Sequence, residues 1–548
     1  MSDVLARVKS PGEQPHTFLM VTPDTDQRLR LGEFVTYHMN VEHVAQTILA
    51  RITGRRAIRL YPDSFLSDPS LDPNTISEAV GYSGTICDLS ELTAEIIGYY
   101  DESFRDFINP GVPPRVGTPV SLAENDYLSR VLSRAKSNKP GSATMGWLSS
   151  RAKEDVNIAI DIDAIVSTHL AIIASTGAGK SYTASVLVEE MLHSKNRAAV
   201  LVIDPHGEYD TLSQIANHSH FTDGSYRPEV LIRKPGQVKM RVGTLPIGDL
   251  RYLLPSLSDR MAHVLGIAYQ NVQNQSRRDY DGDSTRWTIS DLETALEDIA
   301  NDEDNDYGSS AGALIWRLNS TIQTGVERVF DNSTQTRLTE LLKPGQCTVM
   351  QLNQVDQREQ QVIVASLMRR IYQARLKSER GDANEDDDFY LPYPVFVLIE
   401  EAHNFAPADV NTISTGVLKQ VLSEGRKFGV GVGLISQRPG KLDSDVLSQC
   451  NTQFLLRIVN PVDQARVAES VESIGRDLLK ELPALNKGQA IISGVAVNTP
   501  VICQIRKRFT PHGGEGTRAS ETWQEFFSDE QVQDRNRNTA LPRARRRE

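Results

Sequence analysis

The sequence predicts an α/β protein in which a small N-terminal β-barrel precedes a parallel sheet covered by helices on both faces. Three observations carry that expectation. From Leu170 onward, apolar runs of strand length alternate with helical patterns, the signature of a sheet flanked by helices. Before residue 150 the chain breaks instead into short β-rich runs separated by turn residues. A Gly-rich loop joins the first apolar run to a helix, the arrangement that cradles phosphate.

The bulk properties bound the problem. At 548 residues the chain is too long for one core, so two or more domains are expected. A hydrophobic fraction of 39% and a charged fraction of 24% are ordinary for a folded globular chain. The start Met1-Ser2-Asp3-Val4 opens no signal peptide, and no stretch approaches the roughly 18 apolar residues of a membrane span. The expectation is a cytoplasmic protein with no membrane contact. Cys87, Cys347, Cys450 and Cys503 lie far apart without a CxxC pair, which suggests neither zinc nor disulfides. The net charge of -12 works against a globally basic nucleic-acid binder, because such affinity comes from neutralising phosphates. Nucleic acid would have to meet a local basic surface such as a pore. Arg233-Lys234, Lys239 and Arg241 could supply one, although such charges more often serve solubility. The tail Arg543 to Arg547 reads as solvated terminal charge.

Taken in chain order, residues 1–150 contain strand-like runs such as Gln46 to Ile52 and Leu92 to Tyr100 and are expected to form the barrel. The Pro- and Gly-rich stretch Asn109 to Pro119 reads as loop and linker. The α/β core is expected in 151–245 and 345–508, with strands at 170–174, 199–204, 347–353, 395–400, 430–436 and 453–458. Between Pro246 and Pro344, Leu292, Leu296, Ile299 and then Ile315, Leu318, Ile322, Val326 recur at helical spacing, so 246–344 reads as a helical insertion. Residues 509–548 form a C-terminal arm.

The strand Leu170-Ala171-Ile172-Ile173 leads into Ala174-Ser175-Thr176-Gly177-Ala178-Gly179-Lys180-Ser181, and a helix continues from Tyr182. Gly177 and Gly179 let backbone N–H groups close around phosphate oxygens while the helix directs its positive end at the same anion. Thr176, Gly177, Ala178, Gly179, Lys180, Ser181 and Tyr182 are the candidate ATP-binding residues, with Lys180 on the β- and γ-phosphates and Ser181 on Mg²⁺. The strand Val395 to Ile399 ends in Glu400-Glu401 at the same sheet edge. Because side chains alternate along a strand, the two carboxylates are expected to point to opposite faces and do different jobs. Glu400 is assigned to the Mg²⁺ side, through water, and Glu401 to the attacking water as general base. The next strand delivers Gln437 to that edge, where an amide could sense the γ-phosphate or orient water.

Arg426 comes after a helix antiparallel to the strands, so it emerges at the opposite edge and cannot easily serve its own nucleotide. As an arginine for phosphoryl transfer it would act on a neighbouring subunit. A cation at a helix C-terminus is equally common for dipole reasons, so position alone leaves both roles open. Asp204-Pro205-His206-Gly207-Glu208-Tyr209, after the strand Ala199 to Ile203, is by itself an ordinary turn sequence.

Together Thr176 to Ser181, Asp204 to Tyr209, Glu400-Glu401-Ala402-His403-Asn404-Phe405-Ala406-Pro407, Glu424-Gly425-Arg426-Lys427-Phe428-Gly429 and Ser436-Gln437-Arg438-Pro439 resemble the HerA branch of the HerA/FtsK superfamily, hexameric DNA-translocating ATPases of bacteria and archaea. The resemblance extends over nearly the whole chain. It implies a RecA-like P-loop core, a helical-bundle insertion, a homo-hexameric ring with double-stranded DNA in its central pore, and Arg426 as a trans-acting arginine finger. Ala174 departs from the family loop, which opens on Gly. Proteins similar to this one work with a partner effector: a NurA-type nuclease in DNA-end processing or, in anti-phage (antiviral) defence, a sirtuin-type NAD-consuming enzyme or another nuclease. The leading expectation is therefore an ATP-driven, helicase-like translocase. The alternative, towards which the acidic charge leans, is an ATP-gated hexameric scaffold that activates a defence effector with little translocation.

Overall fold

The computed structural model describes residues 4–23, 28–58, 68–70, 72, 89–254, 256–302, 304, 306–321, 329–332, 334–471, 474–511, 519–521, 523–524 and 526–527. Cys87, Ile322, Val326 and the Arg543 to Arg547 tail lie outside them. The chain divides into two units, Met1–Thr510 and Pro511–Glu548.

The first unit opens with β1 (Val4–Pro11), β2 (Thr17–Pro23), β3 (Phe34–Val41), β4 (Val44–Ile58), β5 (Leu89–Asp101), β6 (Asp106–Ile108) and β7 (Pro119–Leu122). Their order is β2-β1-β7-β3-β4-β5-β6, and a further β2–β5 pairing closes the sheet into a barrel with β6 appended. Alternation explains the closure. From Ser90 to Gly98 every second residue of β5 is buried, and Phe18, Met20, Tyr37, Ile48 and Leu92 fill the interior, so one face of each strand supplies the barrel core.

A helix α1 (Asn125–Val131) leads to β8 (Ser142–Leu148) and β9 (Asn157–Asp161). Residues 142–148, within the stretch expected to be barrel, pair instead with the second sheet. The reason is packing: Ala143, Met145 and Leu148 are buried in the core beneath that sheet rather than in the barrel.

The second sheet continues through α2 (Ile162–Thr168), β10 (Leu170–Ile173), α3 (Lys180–Leu192), β11 (Val200–Asp204) and β12 (Glu229–Arg233). A two-stranded pair, β13 (Met240–Arg241) with β14 (Phe330–Asp331), brackets the insertion helices α4 (Ile247–Leu253), α5 (Asp259–Asp279), α6 (Ile289–Asn301) and α7 (Gly308–Thr321). Then come β15 (Gln346–Gln351), α8 (Gln357–Arg380), β16 (Val395–Ile399), α9 (Ile413–Glu424), β17 (Val430–Ser436), β18 (Thr452–Leu455), β19 (Gln489–Gly494) and β20 (Val501–Ile505).

Strand order in this eleven-stranded sheet is β12-β15-β11-β16-β17-β10-β18-β19-β20-β8-β9. The pairings from β12 to β18 are parallel, and those from β18 through β19, β20 and β8 to β9 are antiparallel. Each face has its own core. In β10, Ala171 and Ile173 join one cluster with α8, α9 and the insertion, while Leu170 and Ile172 join the other with α3. A short run buried on both sides is what a central parallel strand requires. The barrel is fastened to the core by Arg151, whose guanidinium lies 2.9 Å from the buried Glu33, and by Arg51, which donates to the Pro500 carbonyl at 2.9 Å.

The second unit has helical residues at 519–521, 523–524 and 526–527. Trp523, Phe526 and Phe527 are exposed there. Among the described residues no helix is long and apolar enough to cross a membrane.

Candidate active site

Parallel strands end at a common edge, where the loops leaving β10, β11, β16 and β17 come together. After Ile173 the chain leaves the sheet as Ala174, whose N–H donates to the Ser436 carbonyl at 3.2 Å. Ala174 is fully buried. The loop then turns through Gly177 at φ +76° and Gly179 at φ +108°, conformations an L side chain rarely adopts, and Gly179 caps α3. Thr176 and Gly177 are exposed, and Ala178 is buried. The loop therefore presents backbone at a helix N-terminus, a site suited to an anion.

Lys180, at the start of α3, reaches back across the edge. Its ammonium contacts Glu400 and lies 2.9 Å from Glu401. Glu400 is fully buried and Glu401 nearly so. Burial works against the ammonium charge, but the two carboxylates outweigh it and hold Lys180 above its ordinary value. Burial likewise pushes Glu400 up to about 7, against the pull of Lys180.

Strand alternation would have sent these two carboxylates to opposite faces. They instead share one ammonium, because β16 stops at Ile399 and Glu401 takes a left-handed conformation at φ +49°. Alternation ends where the strand ends. Their other neighbours differ, however. Glu400 Oε2 accepts from the Tyr209 hydroxyl at 2.8 Å, and its Oε1 accepts from Ser181 Oγ at 3.5 Å. Glu401 Oε2 lies 3.3 Å from His403 Nδ1. Burial holds His403 below its ordinary value; Glu401 opposes this, while Arg438, Lys180 and Lys441 add to it.

Gln437 is brought to the loop, its Oε1 accepting from Thr176 Oγ1 at 3.0 Å. Tyr182 is half-buried on α3, and its hydroxyl accepts from the Arg508 N–H at 2.8 Å.

Two side chains outside the candidate set, Glu208 and Tyr209, belong to this edge. The Asp204 carboxylate accepts from four successive N–H groups, His206 at 3.2, Gly207 at 2.8, Glu208 at 3.2 and Tyr209 at 3.2 Å. That turn aims Glu208 at Ser181, whose hydroxyl donates to it, and Tyr209 at Glu400. The motif Asp204 to Tyr209 was visible in the sequence; the self-bonded Asx geometry that makes Asp204 the scaffold and Glu208 and Tyr209 the presented groups was not.

Arg426 is the residue the fold keeps away. It lies in the 3₁₀ turn Gly425–Phe428, before β17 begins, whereas Gln437 comes after the end of that strand. Seven residues of strand separate the two edges by roughly 20 Å. Arg426 is exposed. Its turn is anchored from inside by His169, whose Nε2 bonds the Leu422 carbonyl at 2.8 Å while its Nδ1 accepts from the Val432 N–H at 3.2 Å.

The donor set around Ser181 consists of a hydroxyl and the carboxylates Glu208 and Glu400. These are hard oxygen ligands of the kind Mg²⁺ takes, in company with phosphate oxygens. The residues present therefore fit a Mg²⁺-nucleotide. With a cationic side chain, a phosphate-shaped loop, two carboxylates and an amide at one edge, the arrangement can hold a triphosphate and manage a water beside it.

Comparison with known proteins agrees. Residues 143–371 match the family "Helicase HerA, central domain". The chain is 30% identical to "Probable helicase MJ1565" of Methanocaldococcus jannaschii, over 76% of this chain and 76% of that protein. It is 29% identical to "Probable helicase MJECL08" of the same organism, over 89% of this chain and 92% of that one. It is 28% identical to "DNA double-strand break repair helicase HerA" of Pyrococcus furiosus, over 82% of each.

Proposed function

Because this chain belongs to the HerA-type ATPases of the HerA/FtsK superfamily, we propose that it is a ring-shaped motor coupling ATP hydrolysis to movement along double-stranded DNA. The chain is a nucleotide-binding ATPase; the DNA track, the ring and the roles of single residues are the proposal. One observation carries it. Lys180, Glu400 and Glu401 gather at one sheet edge, whereas Arg426 stands exposed at the other. A site completed by an arginine from elsewhere needs a neighbour, and that head-to-tail contact gives a ring when its rotation closes; a closed ring of six subunits is the proposal.

In this reading Lys180 leaves Glu400 and Glu401 for the β- and γ-phosphates, Ser181 and Glu400 hold Mg²⁺, and Gln437 senses the γ-phosphate. Mg²⁺ when bound neutralises phosphate charge. Glu401, released from Lys180, accepts the proton of the attacking water. Tyr182, the residue after Ser181, completes the nucleotide-binding stretch that begins at Thr176. The relatives named for double-strand break repair support DNA as the track. A partner effector, either a NurA-type nuclease in end processing or a sirtuin-type NADase or another nuclease in antiviral defence, is the proposed consumer of the movement.

The test is ATP turnover with and without duplex DNA. Turnover is expected to rise with DNA, and Lys180→Ala or Glu401→Gln is expected to lower it by about 100-fold or more. Full turnover in either variant would overturn the site assignment. A tightly bound roadblock on the DNA should stall a translocase; a scaffold that activates an effector would continue unaffected.

A further inference from the structure

The two oxygens of the Glu401 carboxylate are in unequal positions. Oε1 is 2.9 Å from the Lys180 ammonium. Oε2 is buried and accepts no hydrogen bond, although His403 Nδ1 is only 3.3 Å away. The reason lies one strand over. His403 Nδ1 is 3.2 Å from Ser436 Oγ, at the end of β17. That oxygen accepts from the Arg438 N–H at 3.1 Å and keeps its own proton to give, so in the tautomer protonated on Nε2 the hydroxyl donates to Nδ1. An imidazole nitrogen that accepts from a hydroxyl has nothing to donate to a carboxylate.

The arrangement changes once Lys180 is drawn to phosphate. Glu401 then loses its Oε1 partner, and its 3.3 Å approach to His403 is left to hold it. Glu401 sits in the left-handed region at φ +49°, which few non-glycine residues adopt. His403 is itself held in the 3₁₀ turn Ala402–Asn404 with a side chain only 11% exposed.

We infer that His403, tied to β17 through Ser436, is a positioning residue for Glu401: it takes hold of Oε2 when Lys180 lets go of Oε1. The ring moves its proton from Nε2 to Nδ1 by exchange with water, with no net proton gained, the Ser436 hydroxyl turns its own proton away, and the single Nδ1–H is shared between Ser436 Oγ and Glu401 Oε2. Glu401 then accepts from Nδ1 through Oε2 and keeps Oε1 for the attacking water. Ser436 immediately precedes Gln437, so the orientation of the base is joined to the strand end that meets Thr176. The inference rests on Glu401 being the general base.

Three substitutions separate it from a structural role. Asn puts an amide donor where Nδ1 sits, Gln puts one where Nε2 sits, and Leu supplies none. His403→Leu and His403→Gln are expected to lower kcat about tenfold or more, short of the loss at Glu401→Gln, with KM for ATP and affinity for a fluorescent ADP analogue within about twofold of the parent. His403→Asn is expected to recover most of the rate. In the Glu401→Gln background His403→Leu should cost nothing further. The inference is overturned if His403→Leu turns over within about twofold of the parent, if Asn is no better than Gln, or if Leu lowers the rate as much without Glu401 as with it. If Glu401→Gln itself keeps full turnover, the base assignment has failed instead.

Discussion

At the scale of single residues, Lys180 is the cation between two buried carboxylates, Glu400 and Glu401. Removing one partner of such a group leaves charge buried without compensation, a loss of about 3–5 kcal/mol. Lys180→Ala should therefore be less stable than the parent when measured without nucleotide at pH 8, in addition to losing activity. The sign of the pH dependence comes from Glu400, which stands at about 7 against an ordinary 4.5. A carboxyl raised in the folded state contributes its full share below its unfolded value and loses it as pH rises through the folded one. Without Lys180 it is raised further, so the deficit should shrink as pH falls from 8 towards 5, and adding Glu400→Gln should recover part of it at pH 8, the remainder belonging to Glu401. Denaturant midpoints at the two pH values measure this. A Lys180→Ala protein as stable as the parent at pH 8 would show that the ion pair does not hold these elements together.

At the scale of elements, the central strands were legible because burial on both faces leaves an unbroken apolar run. Leu170–Ile173, Val395–Ile399 and Val430–Ser436 lie within the runs expected for them. The outer strands were not. Residues 142–148 alternate much as barrel strands do, and only their pairing with β20 assigns them to the second sheet. At the site, residue types and edges were readable, while the convergence of Glu400 and Glu401 depended on a left-handed residue no periodicity reveals. His169 was equally invisible as a lone histidine, yet it joins α2 and β10 to the end of α9. It is 1% exposed and burial lowers it to about 4, which the Leu422 carbonyl opposes and Arg426 reinforces. A histidine depressed below its unfolded value of about 6.5 gives stability that is complete above 6.5 and is lost as pH falls towards 4. The parent should thus weaken over that window more steeply than His169→Gln, which keeps an N–H for Leu422 but does not titrate. Equal slopes in denaturant midpoint against pH would mean that another group governs acid stability.

At the scale of the whole molecule, the separation of Arg426 from the phosphate loop makes a prediction about neighbours that no single-subunit variant can test. Arg426→Ala keeps Lys180, Glu401 and Gln437, and is expected to bind ATP without hydrolysing it. Lys180→Ala keeps Arg426 and cannot use its own site. If the arginine acts across an interface, an assembly containing both variants regains a competent site wherever an Arg426→Ala subunit holds the nucleotide and a Lys180→Ala subunit faces it. With random assembly at equal amounts, each requirement is met half the time, so roughly a quarter of interfaces should be active in a closed ring of like contacts. Activity should peak near equal mixing and vanish at either extreme. An arginine serving its own nucleotide would leave every mixture inactive, since no subunit carries both groups. Co-expression of the two variants with different tags, sequential capture of mixed assemblies and ATP turnover across mixing ratios distinguish the outcomes. A flat line at zero, with mixed assemblies recovered and nucleotide bound, would reject the shared site and with it the structural reason for a ring.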